Sequence, residues 1–138
     1  MCDRPVATSD YEAKFSLQHS IAAALSCPQV DFSAFGDAAR QACAPLAERV
    51  KVRLADPWAS AYPASWGGRV TVRLESGAIY SAERSHAKGD PEAPLSRDEM
   101  IAKAKMLLAH GDAKEPDRIV DGILGMAAGG KPPQLGLY

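Results

Sequence analysis

Apolar residues recur every four positions early in the chain: Leu17, Ile21 and Leu25 fall on one line of a helix. Residues 10–25, DYEAKFSLQHSIAAAL, contain strong helix formers and neither Gly nor Pro, so the spacing predicts one helix. Ser9 or Asp10 can cap its first amides, and Cys27-Pro28 ends it because the residue before proline is pushed out of the α region. Ser16, Ser20 and Ala23 make a second, small-residue face, suited to close packing against another backbone or to the border of a ligand pocket. Residues 31–49 read as short helical pieces, with Asp37 as a cap and Pro45 in the first turn of PLAER.

The period then changes from four to two. Val50, Val52 and Leu54 alternate with Lys51 and Arg53, and Val70, Val72 and Leu74 alternate with Thr71 and Arg73, the pattern of half-buried strands. Glu75-Ser76-Gly77 is a turn in which Gly77 supplies positive φ, and residues 78–83 return as the second arm of a hairpin. Between the two alternating stretches lies DPWASAYPASWGG, an unusually long connection carrying Trp58, Tyr62 and Trp66. Residues 86–94 are a second irregular segment. Ser96 and Glu99 then form a capping box, with Leu95 and Met100 at the staple positions. Met100, Ala104, Leu107 and Leu108 continue a buried stripe, and Gly111 ends the helix where left-handed backbone is wanted. A last helix is expected from Pro116 to Met126, followed by a flexible tail, GGKPPQLGLY.

No strand–helix–strand alternation is present, so the predicted class is α+β: a small antiparallel sheet of about three strands with helices before and after it. The expected organisation is an extension at residues 1–9, one domain at 10–128 and the tail at 129–138.

Composition adds exclusions. The chain has 138 residues, 46% hydrophobic and 24% charged, the balance of an ordinary globular protein rather than a disordered one. Sixteen Lys and Arg against seventeen Asp and Glu give a net charge of −1, so no overall field draws nucleic acid or anionic lipid. No signal peptide and no apolar run of membrane-spanning length is visible, which predicts no membrane association and a cytoplasmic setting. Cys2, Cys27 and Cys43 are odd in number and lack CxxC spacing, arguing for reduced thiols rather than a disulfide framework or zinc site.

Candidate chemistry is sparse. Ser16 and His19 lie one helical turn apart, but no strained nucleophile turn or oxyanion loop accompanies them, and helix packing accounts for them more simply. His19, His86 and His110 lie in separate segments without metal-ligand spacing, so no metal is expected. KGDP at 88–91 lacks the phosphate-loop frame, and the aromatic loop has no basic residue before Arg69, against a nucleic-acid groove. Lys14 alone reads as a solvated charge.

Three stretches carry a resemblance. Residues 11–25, with AKFSLQHSIAAAL, resemble the segment that opens the lid domain of MmgE/PrpD proteins. YPASWGGRVTVRLESGAIY at 62–80 is similar to that family's hairpin and its preceding loop, and KGDPEAPLSRDEMIAKAKML at 88–107 resembles its Gly-x-Pro-x-x-Pro-Leu-Ser helix entry. The family includes 2-methylcitrate dehydratase, cis-aconitate decarboxylase and iminodisuccinate epimerase, which act on small di- and tricarboxylates without a metal or organic cofactor. The resemblance implies proton abstraction next to a carboxylate, where cations and hydrogen-bond donors stabilise the developing charge. Carried over, Lys14 is the carboxylate partner, with Ser16 and His19 beside it and Lys88 as a further binding residue.

In a regular helix Lys14 and His19 stand more than about 90° apart, so one ligand meets both only if Lys14 lies in a distorted turn. The family's large helical domain, which carries the general acid and base, has no counterpart here. The chain is therefore expected to be inactive alone: one part of a split lyase or isomerase completed by a separately encoded helical domain, or else a non-enzymatic carboxylate-binding or protein-binding module, or a truncated remnant. A homo-oligomer is expected, from the apolar face left without that domain.

Overall fold

The computed structural model describes residues 2–126 and 129–131. The predicted tail thus falls largely outside the described residues. The chain forms two compact units, Met1–Arg53 and Leu54–Tyr138.

In the first unit the single helix expected at 10–25 is two: α1 at Asp10–Ala13 and α2 at Leu17–Ser26. Ser9 caps α1 by accepting from the Glu12 amide, as predicted. The break falls at Ser16, whose backbone is extended and whose hydroxyl accepts from the His19 amide at 3.0 Å, starting a new helix. Serine competes in this way with the helical ladder, which propensity summed over a window does not register. Cys27 ends α2, its N–H donating to the Ala23 carbonyl at 2.8 Å. Asp31 caps a 3-10 turn at Phe32–Phe35, and α3 runs Asp37–Ala47 with Gly36, not Asp37, at the cap position. Pro45 sits inside α3 rather than at a new start, so the helix forgoes the ladder bond that an amide there would give the Gln41 carbonyl.

The core of this unit is built from small side chains: Ala22, Ala23, Ala34, Cys43 and Ala47, with Cys27, Phe35 and Leu46 packed against them. The small-residue face of α2 is therefore the buried one, and Leu17 and Leu25 are exposed. Small residues let α2 and α3 backbones approach closely, which a leucine stripe would prevent. Arg40 binds the unit together, its guanidinium pairing with Asp10 of α1 and Asp37 of α3 and donating to the Phe35 carbonyl at 3.0 Å. The third predicted strand does not form: Val50 and Val52 are half-buried and Lys51 and Arg53 exposed, but the segment has no strand partner among the described residues. Leu54, the third apolar position of that pattern, is exposed, and a strand also needs a neighbour's hydrogen bonds.

The second unit holds a short α4 at Trp58–Ala61, strands β1 at Gly68–Arg73 and β2 at Ile79–Arg84, then α5 at Arg97–His110 and α6 at Pro116–Met126. The sheet is a two-stranded antiparallel hairpin in which Val70 faces Ala82 and Val72 faces Tyr80. Gly77, at φ 86°, makes the predicted turn. The capping box of Ser96 and Glu99 is present. The stripe on α5 is not buried: Met100 and Leu107 are exposed, and Ala104 and Leu108 only half-covered. On α6, Ile119 and Val120 are buried.

The end of α5 departs from expectation. Gly111 has ordinary φ −86°, and Asp112 takes the left-handed conformation at φ 56°. The Asp112 amide donates to Ala109 O at 3.2 Å and the Ala113 amide to Leu108 O at 2.9 Å, the paired bonds of a Schellman cap. An aspartate there carries steric strain a glycine lacks, so Asp112→Gly is expected to stabilise the protein by about 0.5–1 kcal/mol in chemical denaturation. A destabilising result would mean that the Asp112 side chain outweighs the strain.

Among the described residues no helix is long and apolar enough to cross a membrane. The architecture is α+β.

Candidate functional site

Lys14, Ser16 and His19 all stand at or beside the break between α1 and α2, but the break gives each a different fate. Residues 2–4 lie along the start of α2. The Leu17 amide donates to Cys2 O at 2.9 Å, the Arg4 amide to Gln18 Oε1 at 3.1 Å, and the Gln18 amide group to the Asp3 carboxylate. Ser16 Oγ donates to Arg4 O at 2.6 Å while accepting from the His19 amide. Ser16, 1% exposed, is thus a buried cap with both hydroxyl functions committed to backbone. It meets His19 through that residue's amide, so no nucleophile–base pair is assembled.

His19 is equally enclosed. Its Nε2 lies 2.7 Å from the Ala34 carbonyl, which only accepts, so Nε2 carries the hydrogen. The ring leans on Phe35 at a centroid distance of 5.6 Å. His19 therefore fastens α2 to the 3-10 turn.

Lys14 closes α1 with its side chain exposed, and its Nζ sits 5.3 Å from the centre of the Phe32 ring. An aromatic face holds an ammonium without neutralising it. Among the described residues no carboxylate pairs with Lys14, whereas Arg4 pairs with Glu12. Glu12 in turn is held below the usual carboxylate range by hydrogen bonds from the Thr8 amide and hydroxyl and by Arg4. Of the three residues at the break, Lys14 is thus the one with an exposed charge.

Lys88 belongs to the second unit. Its Nζ lies 3.0 Å from Glu99 Oε2, the same carboxylate that accepts from the Ser96 amide at 2.7 Å. The Ser96 amide first, then Lys88, lower the Glu99 pKa from its ordinary value of 4.5. A depressed carboxylate pKa stabilises the fold above the ordinary value and loses that contribution as the pH falls through the folded value. Lys88→Ala is expected to move the Glu99 carboxyl titration, followed by NMR, upward towards 4.5. An unmoved titration would show that the ion pair does not persist in solution.

Sequence reasoning missed Gln18, Asp3 and Arg4, because nothing local marks a partner some fifteen residues away. Among the described residues no group of three or more His, Cys, Asp or Glu is placed to hold a metal ion.

The profile described as the MmgE/PrpD C-terminal domain matches residues 1–124, which include both helices of the break, the hairpin and the capped α5. No curated protein matches the chain. With the profile covering nearly all of its length, the chain belongs to the MmgE/PrpD family as that family's C-terminal domain.

Proposed function

We propose that this domain serves as one part of a split lyase or isomerase for small di- or tricarboxylates, contributing a carboxylate contact at Lys14 to proton-abstraction chemistry completed by a separately encoded helical domain. The observation that carries the reading is the exposed Lys14 ammonium, held by the Phe32 ring and paired with no carboxylate among the described residues. A point charge of this kind suits a substrate carboxylate and steadies the negative charge that grows as a neighbouring proton leaves. Ser16 and His19 act in this reading as the frame that fixes the break from which Lys14 projects, and Lys88 as a contact available only when it leaves Glu99. The setting is cytoplasmic, no metal or organic cofactor takes part, and the domain alone turns over nothing.

The exposed Leu17 and Leu25, on the far side of α2 from its buried alanines, favour a protein partner or self-association. A binding module without chemistry is the second reading, since Lys14 serves a bound carboxylate equally well.

Titration of the chain with citrate, methylcitrate and aspartate-like acids, followed by amide NMR, is expected to shift signals around residues 13–16. Lys14→Ala should weaken the response roughly tenfold, the loss of about one charge-assisted contact. Uniformly unmoved signals would reject carboxylate binding. Mixing with a helical MmgE/PrpD domain should then restore dehydratase or epimerase turnover, and binding without turnover would leave the module reading in its place.

A further inference from the structure

Two of the three cysteines meet inside the first unit. Cys27 ends α2 and is half-buried, and Cys43 lies on α3, 1% exposed. Cys27 packs against the cluster of Ala22, Ala23, Ala34, Cys43 and Ala47, so both thiols share one apolar site, while Cys2 is exposed elsewhere on the unit. Neither thiol has a role in holding the candidate carboxylate site, and neither belongs to a metal cluster among the described residues.

We propose that Cys27 and Cys43 are an oxidisable pair, joined into a disulfide by low-molecular-weight disulfides of the glutathione type, and that the bond locks α2 to α3. Cys27, the more accessible sulfur, attacks one sulfur of the oxidant; that S–S bond breaks and one glutathione leaves as thiolate, taking up a proton. Cys43 then loses its proton and attacks Cys27 Sγ within the mixed disulfide, expelling the second glutathione. Two protein thiols are oxidised to one disulfide while the oxidant is reduced by two electrons to two thiols. Burial first, and then the adjacent Cys27 thiol, push the Cys43 thiol above its ordinary value, which gives Cys27 the first step. The closed loop contains the 3-10 turn whose Ala34 carbonyl holds His19, so oxidation fastens the frame around the α1–α2 break.

Trypsin separates the two cysteines, because cleavage after Arg40 leaves Cys27 in peptide 15–40 and Cys43 in peptide 41–49. The folded, reduced full chain is incubated with glutathione disulfide, blocked with N-ethylmaleimide and digested. The expected product is the two peptides joined, lighter by two hydrogens than their sum, with Cys2 alkylated or glutathionylated and the joined species lost on treatment with dithiothreitol. The oxidised chain should also melt several degrees higher than the reduced one, since a cross-link restricts the unfolded state. Cys43→Ala should stall at a Cys27–glutathione mixed disulfide. Recovery of peptides 15–40 and 41–49 only as separate alkylated or glutathionylated species, or joined preferentially to the Cys2 peptide, overturns the proposal. The wild-type peptide map separates these outcomes even where the alanine variant does not fold.

Discussion

Replacing Gly67 by alanine will destabilise the hairpin unit by about 2–3 kcal/mol, the range for forcing extra volume into a packed site. A Cβ on Gly67 would lie 2.5 Å from Trp58 Cδ1 and 2.7 Å from each of the Arg84 and Ser85 carbonyl oxygens. The indole could swing aside, but the two carbonyls belong to the backbone at and just after the end of β2 and have nowhere to go without opening the hairpin. Moving Trp58 has its own cost, since the Arg69 guanidinium stacks 4.8 Å from the indole and also reaches Glu83 across the sheet at 3.0 Å. Ser65 Oγ donates to the same Ser85 carbonyl, so the clash falls on a hydrogen-bonded acceptor. The neighbouring Gly68→Ala is the control: nothing lies within 4 Å of its Cβ position, and it should be neutral within about 0.5 kcal/mol. In thermal unfolding followed by tryptophan fluorescence, the first variant should melt roughly 10 °C or more below wild type and the second beside it. Equal midpoints for the two would show that Gly67 is not held tightly between Trp58 and the Arg84 and Ser85 carbonyls.

What could be read from sequence was what neighbouring residues decide among themselves. The caps at Ser9, Cys27 and Ser96, the start at Pro116 and the turn at Gly77 each depend on a few adjacent positions, and each is where it was expected. Elsewhere a distant partner decides. Leu17, Ile21 and Leu25 announce a helix correctly yet leave open which side is buried, and the answer lies with Cys43 and Ala47 on α3, which accept only small side chains. The alternation at 50–54 marks Val50 and Val52, which are half-buried, but Leu54 is exposed and no local pattern reveals whether another strand lies beside the segment. At the end of α5 the glycine preference pointed one residue too early, because the register of the last turn, not residue type, placed Asp112 in the left-handed position. The candidate site divides along the same line. The exposure of Lys14 follows from its type, whereas the burial of Ser16 and His19 depends on the Arg4 and Ala34 carbonyls and was invisible in the motif.

His19 offers the sharpest separation between a residue that shapes the site and one that touches a ligand. His19→Ala is expected to lower stability by about 3 kcal/mol, combining a cavity where a 4%-exposed ring stood with an unsatisfied Ala34 carbonyl. Both terms are local to the first unit, so the loss should appear as a shifted denaturant midpoint with an unchanged slope. His19→Leu fills the space and leaves the carbonyl unpaired, which should restore part of the loss and measure the hydrogen bond by the remainder. Lys14→Ala makes the opposite set of changes: an exposed side chain is lost, stability stays within about 0.5 kcal/mol, and only the carboxylate response falls. If His19→Ala left the midpoint in place while abolishing that response, the ring would have to face the ligand, and its bond to Ala34 would not be what holds α2 to the 3-10 turn. The expected pattern, stability lost at His19 and binding lost at Lys14, instead makes the α1–α2 break a rigid mount with one outward charge, which is the arrangement a carboxylate contact requires because a mobile ammonium gives up most of its gain to ordering.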